Sequence, residues 1–223
     1  MSDEKFLIIY FIIAVISLLL GKGMVSWSYY LSQEYPQEAE PFIKTSKPIV
    51  KSTFCVVASG LFPLLLATVV FTNTQLDWSL IFSIYVIALF LWQVVISDLL
   101  WQLIFDKQLA LFAVLGLIRV LLGDYNLVDH IGAGLFVGFI FFLLAIVTRG
   151  GFGGGDIKLL AVLGLWLGSD LLLRTVVLGI LFGGLGALGL LIGKKRNRKD
   201  FFPYGPFFAI SALLCFMFRL LEL

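Results

Sequence analysis

Apolar runs long enough to cross a lipid bilayer follow one another through almost the whole of this sequence. A bilayer core of about 30 Å takes about 20 helical residues. Candidate spans lie at 6–24, 52–72, 79–97, 130–148, 171–193 and 206–223, with two shorter ones at 108–122 and 157–168. In lipid every backbone amide and carbonyl has to be satisfied internally, which a helix does within a single segment. The expectation is an all-α, polytopic membrane protein of about eight transmembrane helices. The two shorter runs suit tilted neighbours of loops that dip into the membrane, or partly re-entrant segments. Composition agrees: 61% of the 223 residues are hydrophobic and 13% charged, too little polar surface to cover a soluble core. The spans use up the length and leave no room for a large soluble domain.

Several function classes drop out at this stage. A net charge of +2 is too small to suggest nucleic acid as a partner. The two cysteines, Cys55 and Cys215, each lie inside an apolar run and form no Cys-x-x-Cys pair, so they read as space-filling residues and not as a disulfide or metal site. The first run is not a cleavable leader, because Asp3 and Glu4 stand beside Lys5 ahead of it and no small-residue cleavage site follows.

Orientation follows from the Lys/Arg bias. With the N-terminus outside, Lys22, Lys44, Lys47, Lys51, Lys107, Arg149, Lys158 and the cluster Lys194-Lys195-Arg196-Asn197-Arg198-Lys199 all fall on the cytoplasmic side. Only Lys5, Arg119, Arg174 and Arg219 fall opposite, together with the acidic turn Asp124-Tyr125-Asn126-Leu127-Val128-Asp129. Twelve cations against four decide the topology. The same topology brings Asp98, where the third span ends, and Asp156, where the sixth begins, to one depth on one face.

An ionisable residue at a membrane boundary is costly and marks a functional candidate. Asp98 alone reads equally as an interfacial aspartate. Asp156 says more, because Gly150-Gly151-Phe152-Gly153-Gly154-Gly155 leads directly into it and Ile157-Lys158 follow. Such glycines permit positive φ and the close approach of another backbone, so Gly153 and Gly155 could lie against an extended substrate. The bland alternative for Asp156 is a helix N-cap. The loop lacks the Gly-x-x-x-x-Gly-Lys-Ser/Thr pattern that cradles phosphates. As a pair the aspartates have a definite chemistry. Two carboxylates in one site cannot both ionise cheaply, so one keeps a proton while the other draws a proton from a water that attacks a peptide carbonyl. Neither metal nor cofactor is needed. The single histidine, His130, falls on the opposite face, which disfavours Ser/His or Cys/His catalysis and a zinc site. Lys158 serves equally as an interfacial lysine or a substrate contact.

Gly153-Gly154-Gly155-Asp156-Ile157-Lys158-Leu159-Leu160 resembles the Gly-x-Gly-Asp-(Val/Ile)-Lys-Leu signature of the type IV prepilin peptidases, which are membrane aspartyl proteases. Pro203-Tyr204-Gly205-Pro206-Phe207 resembles that family's Pro-(Phe/Tyr)-Gly-Pro-Phe segment. Asp98 takes the place of the first catalytic aspartate, although the usual Ile-Pro-Asn that follows has become Ile104-Phe105-Asp106. The likeness covers most of residues 79–223, the expected peptidase domain, and is looser over 1–78, an N-terminal segment of two helices and a cytoplasmic loop. In that loop the two Cys-x-x-Cys pairs of bifunctional members are missing, which argues against N-methyltransferase activity. The resemblance implies an aspartic endopeptidase of the plasma (inner) membrane with Asp98 and Asp156 as its dyad. It would need no cofactor and would remove the short leader from prepilins or pseudopilins at the cytoplasmic face. The residues carry no signal for an oligomeric state.

Three other readings stay open. A transporter component would use the glycine loop as a gate, but no inverted repeat is visible. A presenilin-type protease shares Gly-x-Gly-Asp, but its Pro-Ala-Leu motif is absent. A non-catalytic assembly factor for pili or secretion would keep the fold without the chemistry.

Overall fold

The computed structural model describes residues 3–34, 59, 78–148, 151–192 and 203–221. Every regular element among them is helical: α1 (Asp3–Glu34), α2 (Trp78–Trp101), α3 (Asp106–Leu122), α4 (Leu127–Val147), α5 (Gly154–Ile192) and α6 (Gly205–Leu221). The helices Phe82–Trp101, Leu127–Val147 and Gly154–Gly189 are long and apolar enough to cross a membrane, and Gly205–Arg219 is a shorter apolar helix. The chain is an all-α, multi-pass membrane protein. Of the run expected at 52–72 only Ser59 is described, and the basic cluster at 194–199 lies outside the described residues. Along α4, Leu135, Phe136, Phe139 and Phe142 are exposed, an apolar face suited to lipid.

Helix ends follow local chemistry. α1 runs past the expected end of its span at residue 24 to Glu34, because residues 25–34 contain neither glycine nor proline. Asn126 caps α4, its side-chain oxygen accepting from the amides of Val128 at 3.0 Å and Asp129 at 3.2 Å.

α5 is two helices in one run. Gly168 has φ 69° and ψ −176°, a backbone that side chains resist. There the chain reverses: Phe152, just ahead of α5, and Gly183, far along it, both lie against the Tyr204 ring. The segments 157–168 and 171–193 expected from hydropathy are these two arms.

The chain divides into two compact units, Met1–Gln93 and Val94–Leu223, so the boundary falls within α2. In the first unit, buried polar side chains pair between segments, as membrane helices commonly allow. The Ser28 hydroxyl donates to Gln93 Oε1 (3.3 Å), the Tyr85 hydroxyl to Ser17 Oγ (3.1 Å) and the Trp92 indole to Ser59 Oγ (3.2 Å).

In the second unit α4 runs antiparallel to the first arm of α5, backbone against backbone. A methyl group added at Gly164 would collide with the Gly134 backbone, and one at Gly134 with the Ala161 carbonyl. Small residues permit this approach, and dispersion over the contact holds the pair where lipid supplies no hydrophobic drive. α3 runs parallel to the same arm, with Asp106 beside Lys158 at one end and Arg119 beside Trp166 at the other. α6 packs against the second arm, where Phe208 fills the space beside Gly179.

Candidate active site

Asp98 lies in the last turn of α2 and Asp156 in the first turn of α5, each only 5% exposed. The two carboxylates are within Coulombic range of one another, although 57 residues separate them along the chain. Asp156 is the third residue of its helix and so is not the N-cap. Its carboxyl instead accepts from the Gly153 backbone amide just ahead of the helix. The Asp98 carboxyl accepts from the backbone of Gly205, the first residue of α6. First-turn amides have no partner inside their own helix. Each aspartate therefore faces the positive end of a helix, α5 for one and α6 for the other.

Gly205 is required by space. A methyl group there would stand 2.7 Å from Asp98 Oδ2 and 3.2 Å from Ile104 Cδ1. A methyl at Gly155 would stand 3.0 Å from Ile104 Cβ. Ile104 thus lies between the two glycine-bearing helix starts, and three segments meet at Asp98: the turn 102–105, the start of α5 and the start of α6. Pro203 and Pro206 are buried on either side of Tyr204-Gly205. Pro206 sits in the first turn of α6, where a missing amide costs no helical hydrogen bond. Asp98 Oδ2 is buried and has no hydrogen-bond partner among the described residues.

Lys158 is directed away from the pair. Its Nζ donates to both oxygens of Asp106, at 2.7 and 2.9 Å, and both side chains are more than half exposed. His130 is far from the aspartates, at the other end of α4. It is buried, and its Nδ1 meets the Leu165 carbonyl oxygen at 2.9 Å. Among the described residues no three His, Cys, Asp or Glu side chains converge as metal ligands.

Some neighbours of the site carried no mark in the sequence. Gln102, with φ 53°, turns the chain left-handed just after α2, and its Nε2 is buried without a partner among the described residues. Glutamine is not a residue type that announces this conformation, unlike glycine or asparagine. Phe152, alone among glycines, stacks edge-on to Phe141 (5.0 Å) and tilts against Tyr204 (5.3 Å). An aromatic ring isolated in a glycine run was the available signal that the loop is anchored.

Residues 85–188, which contain both aspartates, match the model of the type IV leader peptidase family. Over this segment, just under half of the chain, the sequence is similar to that family. Curated relatives agree. A prepilin leader peptidase/N-methyltransferase of Bacillus subtilis is 38% identical over 87 residues, 38% of this chain and 35% of that one. Its namesake in Pseudomonas aeruginosa is 32% identical over 127 residues, 56% of this chain and 40% of the relative. That of Dichelobacter nodosus is 30% identical over 154 residues, 65% of this chain and 49% of the relative. The chain thus spans half or less of the length of these type IV leader peptidase relatives. No solved structure matches it.

Proposed function

We propose that this chain is a member of the type IV leader peptidase family, a membrane aspartic endopeptidase that removes the leader from prepilin-like precursors at the cytoplasmic face of the cell membrane. The observation that carries the reading is that two buried carboxylates, Asp98 at the end of α2 and Asp156 at the start of α5, lie within Coulombic range of one another.

The chemistry follows from the pair. With one proton shared, the ionised carboxylate takes a proton from a water as its oxygen attacks the scissile carbonyl carbon. The protonated carboxyl donates its hydrogen bond to the carbonyl oxygen, where negative charge develops. Collapse of the tetrahedral intermediate breaks the C–N bond, and the amine leaves with a proton returned by the dyad. The Gly153 and Gly205 amides hold the carboxylates in place, and Asp98 Oδ2, buried and with no donor on it among the described residues, is the carboxyl oxygen that would carry the shared proton. Gly154, with nothing within 4 Å of an added methyl, leaves room for an extended peptide near Asp156, whereas Gly155 packs against Ile104. Prepilin enters as substrate because leader peptidases of this name are the relatives with which the segment aligns.

The test is co-expression of the full chain with a candidate prepilin. Leader loss, seen as a mobility shift and located by mass spectrometry, should require both Asp98 and Asp156. Processing retained in Asp156→Asn would overturn the dyad.

A further inference from the structure

At the end of the bundle remote from the aspartates, the break in α5 is stoppered on both sides by side chains of α3 and α4. A helix end leaves carbonyls without partners, and a helix start leaves amides. At Gly168 both occur together, inside a membrane-spanning element. His130 Nδ1 reaches the Leu165 carbonyl at 2.9 Å, and Arg119 donates to the Trp166 carbonyl at 3.2 Å. A carbonyl only accepts, so Nδ1 carries the proton. On the other side of the break Asp129 Oδ2 accepts from the Ser169 amide at 3.1 Å. The signs fit the helix dipoles: a cation and an N–H donor at the carbonyl end, a carboxylate at the amide end.

The stopper is itself held. The Arg119 guanidinium lies 3.9 Å from the centre of the Tyr125 ring. The Trp166 indole donates to the Phe112 carbonyl at 3.0 Å, and its ring stacks on Phe112 at 4.9 Å. A methyl at Gly168 would lie 2.6 Å from Asp129 Oδ2, so nothing but glycine fits under the carboxylate. The segment 154–167 therefore has one end pinned by Arg119 and His130, with Asp129 holding the start of the next arm across the break, while its other end carries Asp156. The two ends are about 18 Å apart at about 1.5 Å per residue. A packed helix that short moves as a rigid rod, so a slip at the break is delivered to Asp156.

We infer that Arg119, Asp129 and His130 are positioning residues that set the depth and tilt of the Asp156-bearing helix relative to Asp98 from the far end of the bundle. The inference rests on the peptidase reading for its kinetic consequence and is independent of it for its geometric one.

Full-length protein in lipid nanodiscs tests both. His130→Ala removes the donor to Leu165, whereas His130→Asn returns a side-chain N–H at nearly the same place. Cleavage by His130→Ala should show kcat lowered by about 10- to 100-fold with KM little changed, because a shift of about an ångström far from the chemistry suffices for that. His130→Asn should recover most of it. The geometric readout needs no activity: in an Ile104→Cys/Gly155→Cys background, disulfide formation followed by mass spectrometry should slow with His130→Ala and recover with His130→Asn. If His130→Ala does not accumulate in the membrane, Arg119→Gln is read in the same way. Unchanged cross-linking in the folded variants, or a loss of kcat that His130→Asn does not restore, overturns the inference. A parent protein that cleaves no prepilin, with cross-linking still sensitive to His130, removes the peptidase reading and leaves the positioning role standing.

Discussion

Gly205 stands so close to Asp98 that one added methyl group would lie 2.7 Å from the carboxylate oxygen Oδ2. That contact falls below any ordinary carbon–oxygen approach, and Ile104 Cδ1 stands only 3.2 Å from the same methyl. Gly205→Ala should displace Asp98 from the start of α6 and lower prepilin cleavage at least about tenfold, a modest loss for a misplaced catalytic group. Gly184→Ala is the control: nothing stands within 4 Å of its added methyl, and helix stability should be unchanged or higher by up to about 1 kcal/mol. Cleavage assays and detergent melting curves separate the two. Equal activity in both variants would show that the Gly205 contact does not bear on the site.

Asp98→Asn and Asp156→Asn each keep size and shape while removing the ability to take or share the proton. Both should insert and fold normally, as judged by melting temperature and protease protection, and both should lose cleavage. Cleavage persisting in either would leave the proton-sharing mechanism without one of its members.

The Lys158–Asp106 pair should matter little. It is bidentate, but both side chains are more than half exposed, and exposed pairs contribute about 0.2–1 kcal/mol. Lys158→Ala should change stability within that range, and the difference should shrink in high salt, where screening acts over a few ångströms. A loss of cleavage far larger than the loss of stability would instead assign Lys158 to substrate contact. Comparing kcat/KM with the melting temperature decides.

Where α4 meets the first arm of α5, there is no room for a side chain. Gly134→Leu or Gly164→Leu should force the helices apart and cost at least about 1–3 kcal/mol, the usual scale of overpacking. Gly132→Ala, on α4 with nothing within 4 Å of the added methyl, should be silent. Thermal unfolding of the purified variants measures the difference. A stable Gly164→Leu variant would mean that the helices are not in backbone contact.

Much of the framework was legible in the residues. Hydropathy located the starts and ends of α2, α4 and both arms of α5 to within a few residues, and it separated those arms even though they form one nearly unbroken helical run. The signal was Gly168-Ser169-Asp170, a polar interruption between apolar stretches. The site was legible only in its two acidic members and its glycines. Ile104, Phe152 and the left-handed Gln102 were not, because their roles depend on what lies across from them and not on their residue type. His130 was legible only as a residue of the face opposite the aspartates; the burial of its ring against Leu165 is visible only once α4 and α5 are packed.

The amino-acid order by itself determined that this chain is helical and lives in lipid, and its charges assigned two aspartates to one side of the bundle. Hydropathy and charge act residue by residue against the surrounding medium, so they need no knowledge of neighbours. Only the tertiary structure decided that Asp98 faces the backbone of Gly205, 107 residues beyond it, and that three side chains stopper the broken end of α5 far from the aspartates. In lipid, apolar side chains gain nothing from choosing one helix over another, so pairing is settled by close glycine contacts and by unpaired polar groups finding partners. Those are relationships between distant segments, and they exist only in the folded chain.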